Sequence, residues 1–396
     1  MTAISGPSAP TFLRSLKAAV SPTMRTPQAQ QDGRWGTGQV VVVVVVVALN
    51  LLGLAMVLSA SSVSSLYDGT DTWYHFGRQG TWIALGTVAL LIFRLVDYRF
   101  LRRLVPLALG GTIILLMAVL VPGIGTEAKG ATRWIGVGPI AFQPTELLKI
   151  AMVLYTADLL AKRDHALHLA SQTLVPVLIV FSGFGLLVLM QPDLGTVIVT
   201  GGITVGVLFA GGVALGPLLG ASTAGGGVAL TLAMTADYRR DRLLAFLDPW
   251  DDPLNTGYQT IQSQVGVANG GLTGVGIGEG RAKWGYLPEA HTDFIYAVVG
   301  EEMGFVGSVM VLGLFASLAV VGIRIALRAP DRFGMLVAVG IVVWMILQAV
   351  VNVGAVVGVL PITGVPLPFV SFGGTSLLVG MASVGVLLNI GRQGRA

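Results

Sequence analysis

The sequence predicts an all-α polytopic membrane protein with ten transmembrane helices and a large extracellular loop between helices 7 and 8. Apolar residues make up 54% of the chain and charged residues only 11%, whereas a soluble domain carries about 25% charged residues. The mean hydropathy is +0.80. The apolar residues are gathered into runs close to the roughly 20 residues that a helix needs to cross a bilayer.

The N-terminal region is predicted to be a disordered cytoplasmic tail. Residues 1–38 are rich in Ser, Thr, Pro, Gln and Gly, a composition that cannot bury a core. The first apolar run, residues 40–60, is too long for the apolar region of a signal peptide. We therefore expect a transmembrane domain over residues 39–391 and a short cytoplasmic C-terminus at 392–396.

Ten apolar runs fall within the transmembrane domain. They lie near residues 39–60, 80–93, 104–122, 145–161, 171–190, 195–211, 213–236, 294–323, 335–358 and 370–390. An even number of spans places both termini on one side, and Lys and Arg concentrate on that side, so the positive-inside rule predicts cytoplasmic termini. The net charge of +4 follows this topology and does not indicate nucleic-acid binding. The longest external loop is then residues 237–293.

The end of this loop carries the most informative polar residues. Pro288 ends any preceding helix, and Thr292 or Asp293 is placed to cap the next one. Glu301 and Glu302 follow inside the span, where one ionisable group costs roughly 2.5–3.5 kcal/mol. Asp293 is interpreted either as a helix cap or as a functional carboxylate. The two glutamates either pair with basic residues of neighbouring helices or serve the same site.

Two further polar groups occur near the outer ends of spans. Glu146 and Lys149 are three residues apart on the fourth span, so they form an intrahelical ion pair or else Lys149 faces a cavity and meets a phosphate. Asp193 follows Pro192 and either caps the next helix or lines an outer cavity.

Two other patterns have mainly structural interpretations. Gln348 and Asn352, four residues apart on the ninth span, are typical of hydrogen bonding between membrane helices. The glycines between residues 274 and 280 superficially resemble a nucleotide loop, but no strand precedes them. We expect a flexible, closely packed segment there. The chain has no cysteine and four scattered histidines, which leaves little room for a zinc centre.

Several motifs resemble those of the SEDS family (shape, elongation, division and sporulation), and the similarity extends over residues 35–391. The motifs are Gln191-Pro-Asp-Leu-Gly195, Leu247-Asp-Pro-Trp250, Gly257-Tyr-Gln259-x-x-Gln262-Ser263, Gly270-Gly-Leu-x-Gly-Val-Gly276, Leu287-Pro-Glu-Ala-His-Thr-Asp-Phe-Ile295 and Pro366-Leu-Pro-Phe-Val-Ser371-Phe-Gly-Gly374. Details such as Gly300-Glu-Glu302 are closer to the division branch of the family than to the elongation branch.

This resemblance implies a peptidoglycan glycosyltransferase that polymerises lipid II at the outer face of the cytoplasmic membrane during septal wall synthesis. It implies a class B penicillin-binding protein as the transpeptidase partner, beside other membrane proteins of the division complex. Carried over by motif, Asp293 is the essential loop aspartate, and we interpret it as the general base.

The remaining site residues are expected to bind substrate. They are Glu146, Lys149, Asp193, Gln259, Gln262, Ser263, Arg281, Lys283, His291, Glu301 and Ser371. Cationic help for the departing diphosphate is expected from Arg281, Lys283, Arg239, Arg240 or Lys149. A divalent cation, Mg²⁺ or Mn²⁺, would do the same work.

Three alternatives remain open at this stage. Intramembrane charges also suit a flippase of the lipid-linked precursor. An elongation-type polymerase of the same family would share the motifs, and a non-catalytic scaffold for the division machinery would tolerate the loss of Asp293.

Overall fold

The computed structural model describes residues 35–394 except 68, 70, 129, 130, 138 and 139. The predicted disordered tail lies almost entirely outside these residues. The described part forms one compact unit that contains twelve α-helices and three short strands. The helices are α1 Thr37–Tyr67, α2 Tyr74–Leu95, α3 Tyr98–Leu120, α4 Pro144–Lys162, α5 Leu174–Leu189, α6 Leu194–Ala210, α7 Leu215–Thr235, α8 Asp237–Leu247, α9 Tyr258–Asn269, α10 Ile295–Leu327, α11 Arg332–Val356 and α12 Gly374–Gln393.

Seven of the described helices are long and apolar enough to cross a membrane: α1, α2, α3, α7, α10, α11 and α12. Two shorter apolar helices, α5 and α6, add to these. The one remaining predicted span, the fourth, coincides with α4, whose charged residues lower its hydropathy. Each apolar run found in the sequence therefore falls on a helix, and the protein is a multi-pass membrane protein.

The core is built around α11 and α12, the most buried of the long apolar helices. α12 packs against α2, and α11 packs against α4, α6 and α10. α10 also packs along α1. α7 lies at the edge, where it contacts mainly α6 and α8. Side chains such as Trp344, Leu148 and Ile203 fill the interior.

A small antiparallel sheet occupies the segment between α3 and α4. Its strands are β1 Gly125–Ala128, β2 Ala131–Val137 and β3 Ile140–Phe142, in the order β1-β2-β3. Ile135 pairs with Phe142, and a bulge lies between Thr126 and Glu127. The strands are too short to give a periodic apolar pattern, so an all-α prediction misses them.

The long loop of residues 237–293 is ordered into helices and turns. It contains α8, α9 and a wide turn at Ala282–Tyr286. In the turn between α8 and α9, Asp252 accepts hydrogen bonds from Thr256 N (3.3 Å) and Asn255 Nδ2 (3.0 Å). Both bonds stabilise the charged carboxylate and so lower the pKa of Asp252 below its usual value. The bond from Thr256 N has the largest effect, and the bond from Asn255 the next largest.

α10 is broken at Gly304, whose φ of 66° and ψ of −162° are not helical. The break leaves two carbonyls and two N–H groups of α10 without partners inside the helix. Residues 270–280, the glycine-rich segment, enter the break and supply the partners. The bonds are Val275 N to Glu301 O (3.0 Å), Gly276 N to Glu302 O (3.1 Å), Phe305 N to Gly271 O (2.9 Å) and Val306 N to Leu272 O (3.1 Å). The expected close packing of this segment is confirmed, and its motion stays a prediction.

Candidate active site

Asp293 lies at the point where the long loop enters α10. The helix begins at Ile295 with Phe294 as its N-cap, and the Phe294 side chain makes no capping hydrogen bond. The prediction that Thr292 or Asp293 caps the helix is therefore wrong, because the loop enters one residue later than the motif suggests. Instead, both donors of Thr292 form hydrogen bonds to Glu289. Thr292 N donates to Glu289 O (3.1 Å), and Thr292 Oγ1 donates to Glu289 Oε2 (2.8 Å).

The backbone on both sides of Asp293 is held by buried polar side chains. Asn352 Nδ2 donates to Asp293 O (2.7 Å) and also to Val365 O (2.9 Å). Ser371 Oγ donates to Thr292 O (2.6 Å). Both side chains therefore tie Asp293 to residues 361–371, which we call the support loop.

A cluster of rings borders the same segment. The His291 ring centroid lies 5.1 Å from that of His75 and 5.8 Å from that of Phe372. Phe372 N donates to His291 O (3.0 Å), and the Arg78 guanidinium lies 5.9 Å from the Phe372 ring centroid. The predicted site residues His291, Asp293 and Ser371 are thus brought together, along with residues of α2 that the sequence analysis does not select.

Asp293 borders a small pocket of about 10 Å³, enough for one water molecule or one hydroxyl group. Asn352 also lines this pocket, and its Oδ1 is buried without a hydrogen-bond partner among the described residues. The lining of this pocket therefore combines an acidic residue with an amide residue.

A much larger cavity of about 370 Å³ lies on the other side of the support loop, and Ile362 and Thr363 line both spaces. Its walls are mostly apolar and come from α6, α7 and α8. Its cationic lining residues are Arg133, Arg239 and Arg242, and Asp193 is its one carboxylate. This combination of three guanidinium groups with apolar walls suits a ligand that carries an anionic head and an apolar chain.

Arg133 was missed as a site residue. It lies on β2, and its guanidinium donates to Gln191 O (Nε, 3.1 Å) and to Pro192 O. These backbone contacts fix the side chain without neutralising its charge. In the sequence, Arg133 is one of several loop arginines, and only the fold brings it to residues 191–192.

Asp193 is the N-cap of α6. Its carboxylate accepts hydrogen bonds from Thr196 N (3.1 Å) and Thr196 Oγ1 (2.8 Å). Both interpretations from the sequence apply, because this capping residue also lines the large cavity.

Glu301 and Glu302 bind the loop that precedes α10, and each has its own set of partners. Glu301 accepts from Arg281 N and Ala282 N, both at 3.0 Å. Glu302 accepts from Gly278 N (3.0 Å), from Ser59 Oγ of α1 (2.6 Å) and from Lys283 Nζ (3.4 Å), which also donates to Gly278 O. These buried charges anchor the glycine-rich segment and the following turn inside the protein.

Glu146 and Lys149 form the intrahelical ion pair that the sequence suggests. Lys149 Nζ lies 2.9 Å from Glu146 Oε1 and donates to Gln348 Oε1 at 3.0 Å. Both charged side chains are almost completely buried. Neither residue lines the large cavity or the small pocket.

The remaining candidates lie on α9. Ser263 is buried, and its single hydroxyl hydrogen is shared between Thr260 O (2.9 Å) and Val356 O (3.0 Å), which joins α9 to the end of α11. Gln259 and Gln262 are half-buried on the same helix. Among the described residues, no group of three or more His, Asp or Glu side chains is arranged to hold a metal ion.

Comparison with known proteins agrees with this architecture. Residues 39–396 match the family model of cell cycle proteins that covers FtsW, RodA and SpoVE. A probable peptidoglycan glycosyltransferase FtsW from Geobacter metallireducens is 43% identical over 351 residues, which cover 89% of this chain and 94% of that protein. Stage V sporulation protein E from Bacillus subtilis is 40% identical over 357 residues, covering 90% and 97%.

Two solved structures share the fold. A chain from a peptidoglycan synthase complex, described as coordinating polymerization and crosslinking, matches with a TM-score of 0.74 at 32% identity, over 89% of this chain and 96% of that one. The crystal structure of the rod shape determining protein RodA from Thermus thermophilus matches with a TM-score of 0.66 at 28% identity, over 90% and 97%. The SEDS resemblance seen in the motifs is thereby confirmed, and the chain belongs to the FtsW/RodA/SpoVE family of cell cycle proteins.

Proposed function

We propose that this protein is a peptidoglycan glycosyltransferase that polymerises lipid II at the outer face of the cytoplasmic membrane during septal cell-wall synthesis. The relatives named as glycosyltransferases support the reaction class. The observation that carries the proposal is the position of Asp293, whose pocket is separated only by the support loop from an apolar cavity with three arginines.

In this proposal Asp293 is the general base. It takes the proton of the acceptor's sugar hydroxyl as that oxygen attacks the anomeric carbon of the donor, and the bond from that carbon to the diphosphate breaks. General-base assistance is typically worth about 10²–10⁴-fold in rate. Diphosphate is a good leaving group, so this step needs no strong general acid.

Arg133, Arg239 and Arg242 are placed to stabilise the charge of the departing diphosphate, and the apolar walls to hold a polyprenyl chain. When bound to the diphosphate, Mg²⁺ or Mn²⁺ would supply further charge stabilisation. We propose that Asp193 contacts the substrate from the lining of the large cavity and that His291 contacts it from the ring cluster. Glu301, Arg281 and Lys283 contribute by shaping the loop, and Gln259 and Gln262 remain predicted substrate contacts.

The membrane arrangement belongs to the same proposal. We propose ten spans, made by α1 to α7 and α10 to α12, with residues 237–293 as the large extracellular loop and both termini in the cytoplasm. The tail of residues 1–38 and the C-terminus at 392–396 would then flank the transmembrane domain on the cytoplasmic side. Placement at the division septum is part of the proposal, and the relatives named FtsW support it.

A class B penicillin-binding protein is the proposed transpeptidase partner, with other division-complex membrane proteins beside it. The support is the related structure of a complex that coordinates polymerization and crosslinking. The names of the relatives favour the glycosyltransferase over a flippase. They also favour the division branch, since a relative named FtsW is 43% identical to this chain and RodA is 28% identical.

The proposal is tested with Asp293→Asn in purified full-length protein, supplied with lipid II and the partner. Glycan polymerisation should be lost while expression and thermal unfolding stay normal. Asp251→Asn is the matched control, because Asp251 is an exposed aspartate of the same loop and its replacement should leave activity unchanged. Normal polymer length and rate in the Asp293 variant would eliminate the assignment.

A further inference from the structure

We propose that Asn352 and Gln348 are positioning residues for the reaction: an amide pair, one turn apart on α11, that sets the location of Asp293 by holding the loop entering α10 against the support loop. This inference rests on the proposed function, since it assigns the pair a role in placing the base. It differs from a general packing role because both amides contact backbone at the site.

Asn352 is the direct link. Its side-chain nitrogen uses both hydrogens on carbonyl oxygens of different segments, Asp293 O and Val365 O. With the amide turned over, its oxygen would face two other acceptors, so the bond pattern fixes its orientation. Only 2% of the residue is exposed, and without it the carbonyls of Asp293 and Val365 would lose this donor.

Gln348 holds the next residue of the support loop. Gln348 Nε2 donates to Pro366 O at 2.8 Å. Its Oε1 accepts from Lys149 Nζ (3.0 Å) and Trp344 Nε1 (2.7 Å). Because two donors fix the oxygen, the amide nitrogen has to point towards the support loop. The buried Lys149 thereby acts on the site from a distance, through an amide, and not by contact with substrate.

Strained backbone on both sides of the junction shows that this geometry is imposed. Glu289, four residues before Asp293, has a φ of 60°, and Phe369 of the support loop has a φ of 66°. Residues other than glycine rarely adopt such values and keep them only where the surrounding contacts over-determine the conformation. Asn352, Gln348 and Ser371 supply contacts of that kind.

A general base acts only within hydrogen-bond reach of its proton, and a displacement of about 1 Å can cost on the order of 10²-fold in rate. Asn352→Leu keeps the branched shape of the side chain, although leucine is larger, and removes the donor. We expect its kcat for polymerisation to fall about 100-fold, while the KM for lipid II and the thermal midpoint stay close to those of its control.

The control is Asn50→Leu on α1. Asn50 is also buried and also has an unpartnered Oδ1, but its Nδ2 donates to Val46 O within its own helix (2.8 Å). Asn50→Leu therefore reproduces the loss of a buried amide without touching the site. Asn352→Gln, which keeps both donor hydrogens on a longer arm, should restore part of the lost turnover.

The assay uses full-length protein with lipid II and the partner, and reports kcat, KM and the melting temperature for every variant. Gln348→Met removes the donor to Pro366 O together with the acceptor of Lys149 Nζ and Trp344 Nε1. It should also lower kcat at unchanged KM, and it decides the question if Asn352→Leu does not fold. Normal kcat in a folded Asn352 or Gln348 variant would overturn the positioning role. So would a raised KM at normal kcat, or an equal loss in Asn50→Leu. An inactive wild-type protein would instead overturn the proposed function.

Discussion

Removal of Lys149 tests the energetics of the buried ion pair on α4. Its charged side chain is 3% exposed and that of Glu146 is 4% exposed. Lys149→Met leaves the carboxylate in the interior without its counter-ion, and breaking a buried pair in this way costs about 3–5 kcal/mol. Gln348 Oε1 keeps Trp344 Nε1 as a donor, so the larger part of the loss falls on Glu146. We expect a clear fall in the melting temperature of the detergent-solubilised protein.

Two further variants make this measurement decisive. Lys162→Met on the same helix breaks an i,i+4 pair with Asp158, but the Lys162 side chain is 62% exposed, so its cost should be only about 0.3–0.5 kcal/mol. Glu146→Leu combined with Lys149→Met removes both charges, and replacing a buried pair by apolar groups is often neutral. The double variant should therefore melt above Lys149→Met alone. Equal melting of the two lysine variants, or additive losses in the double variant, would refute the reasoning.

Two other predictions concern contacts that position the loops. Gly53→Ala on α1 would place a methyl group 2.6 Å from Val370 O of the support loop, so we expect reduced polymerisation. Gly110→Ala is the control: its methyl group would have nothing within 4 Å, and turnover should be unchanged. Equal activity of the two alanine variants would contradict this. Glu302→Leu leaves the buried Lys283 cation without its carboxylate, at a cost of about 3–5 kcal/mol, and proteolysis in the glycine-rich segment should become faster. An unchanged cleavage rate would argue against anchoring by Glu302.

Hydropathy predicted the helical body well, because each transmembrane helix is a local run of apolar residues. All ten runs fall on helices of the described chain, including α4, where charged residues interrupt the pattern. The same approach missed β1 to β3, which are only 4, 7 and 3 residues long. It also missed the break at Gly304, since a glycine within an apolar run does not reveal that another segment will pair with its neighbours.

The site was predictable in its residues and less so in their arrangement. The motif around Asp293 identifies the carboxylate, and the intramembrane position of Glu301 and Glu302 marks them as unusual. Their partners come from distant parts of the chain, such as Ser59 for Glu302. Arg133 could not be identified from the sequence for the same reason. Its position depends on hydrogen bonds to carbonyl groups about 60 residues away, which only the fold brings near.

The interrupted helix α10 has a consequence for biogenesis. If residues 295–327 entered lipid as a separate hydrophobic segment, the two carbonyl and two amide groups at the break would lose their hydrogen-bond partners, each at a penalty of several kcal/mol. The chain emerges from the ribosome with residues 270–280 ahead of this helix, so the complementary segment is already available when the helix leaves the translocon. We therefore expect the loop and the helix to enter the membrane as one unit, so that a mutation in the loop impairs assembly as well as catalysis.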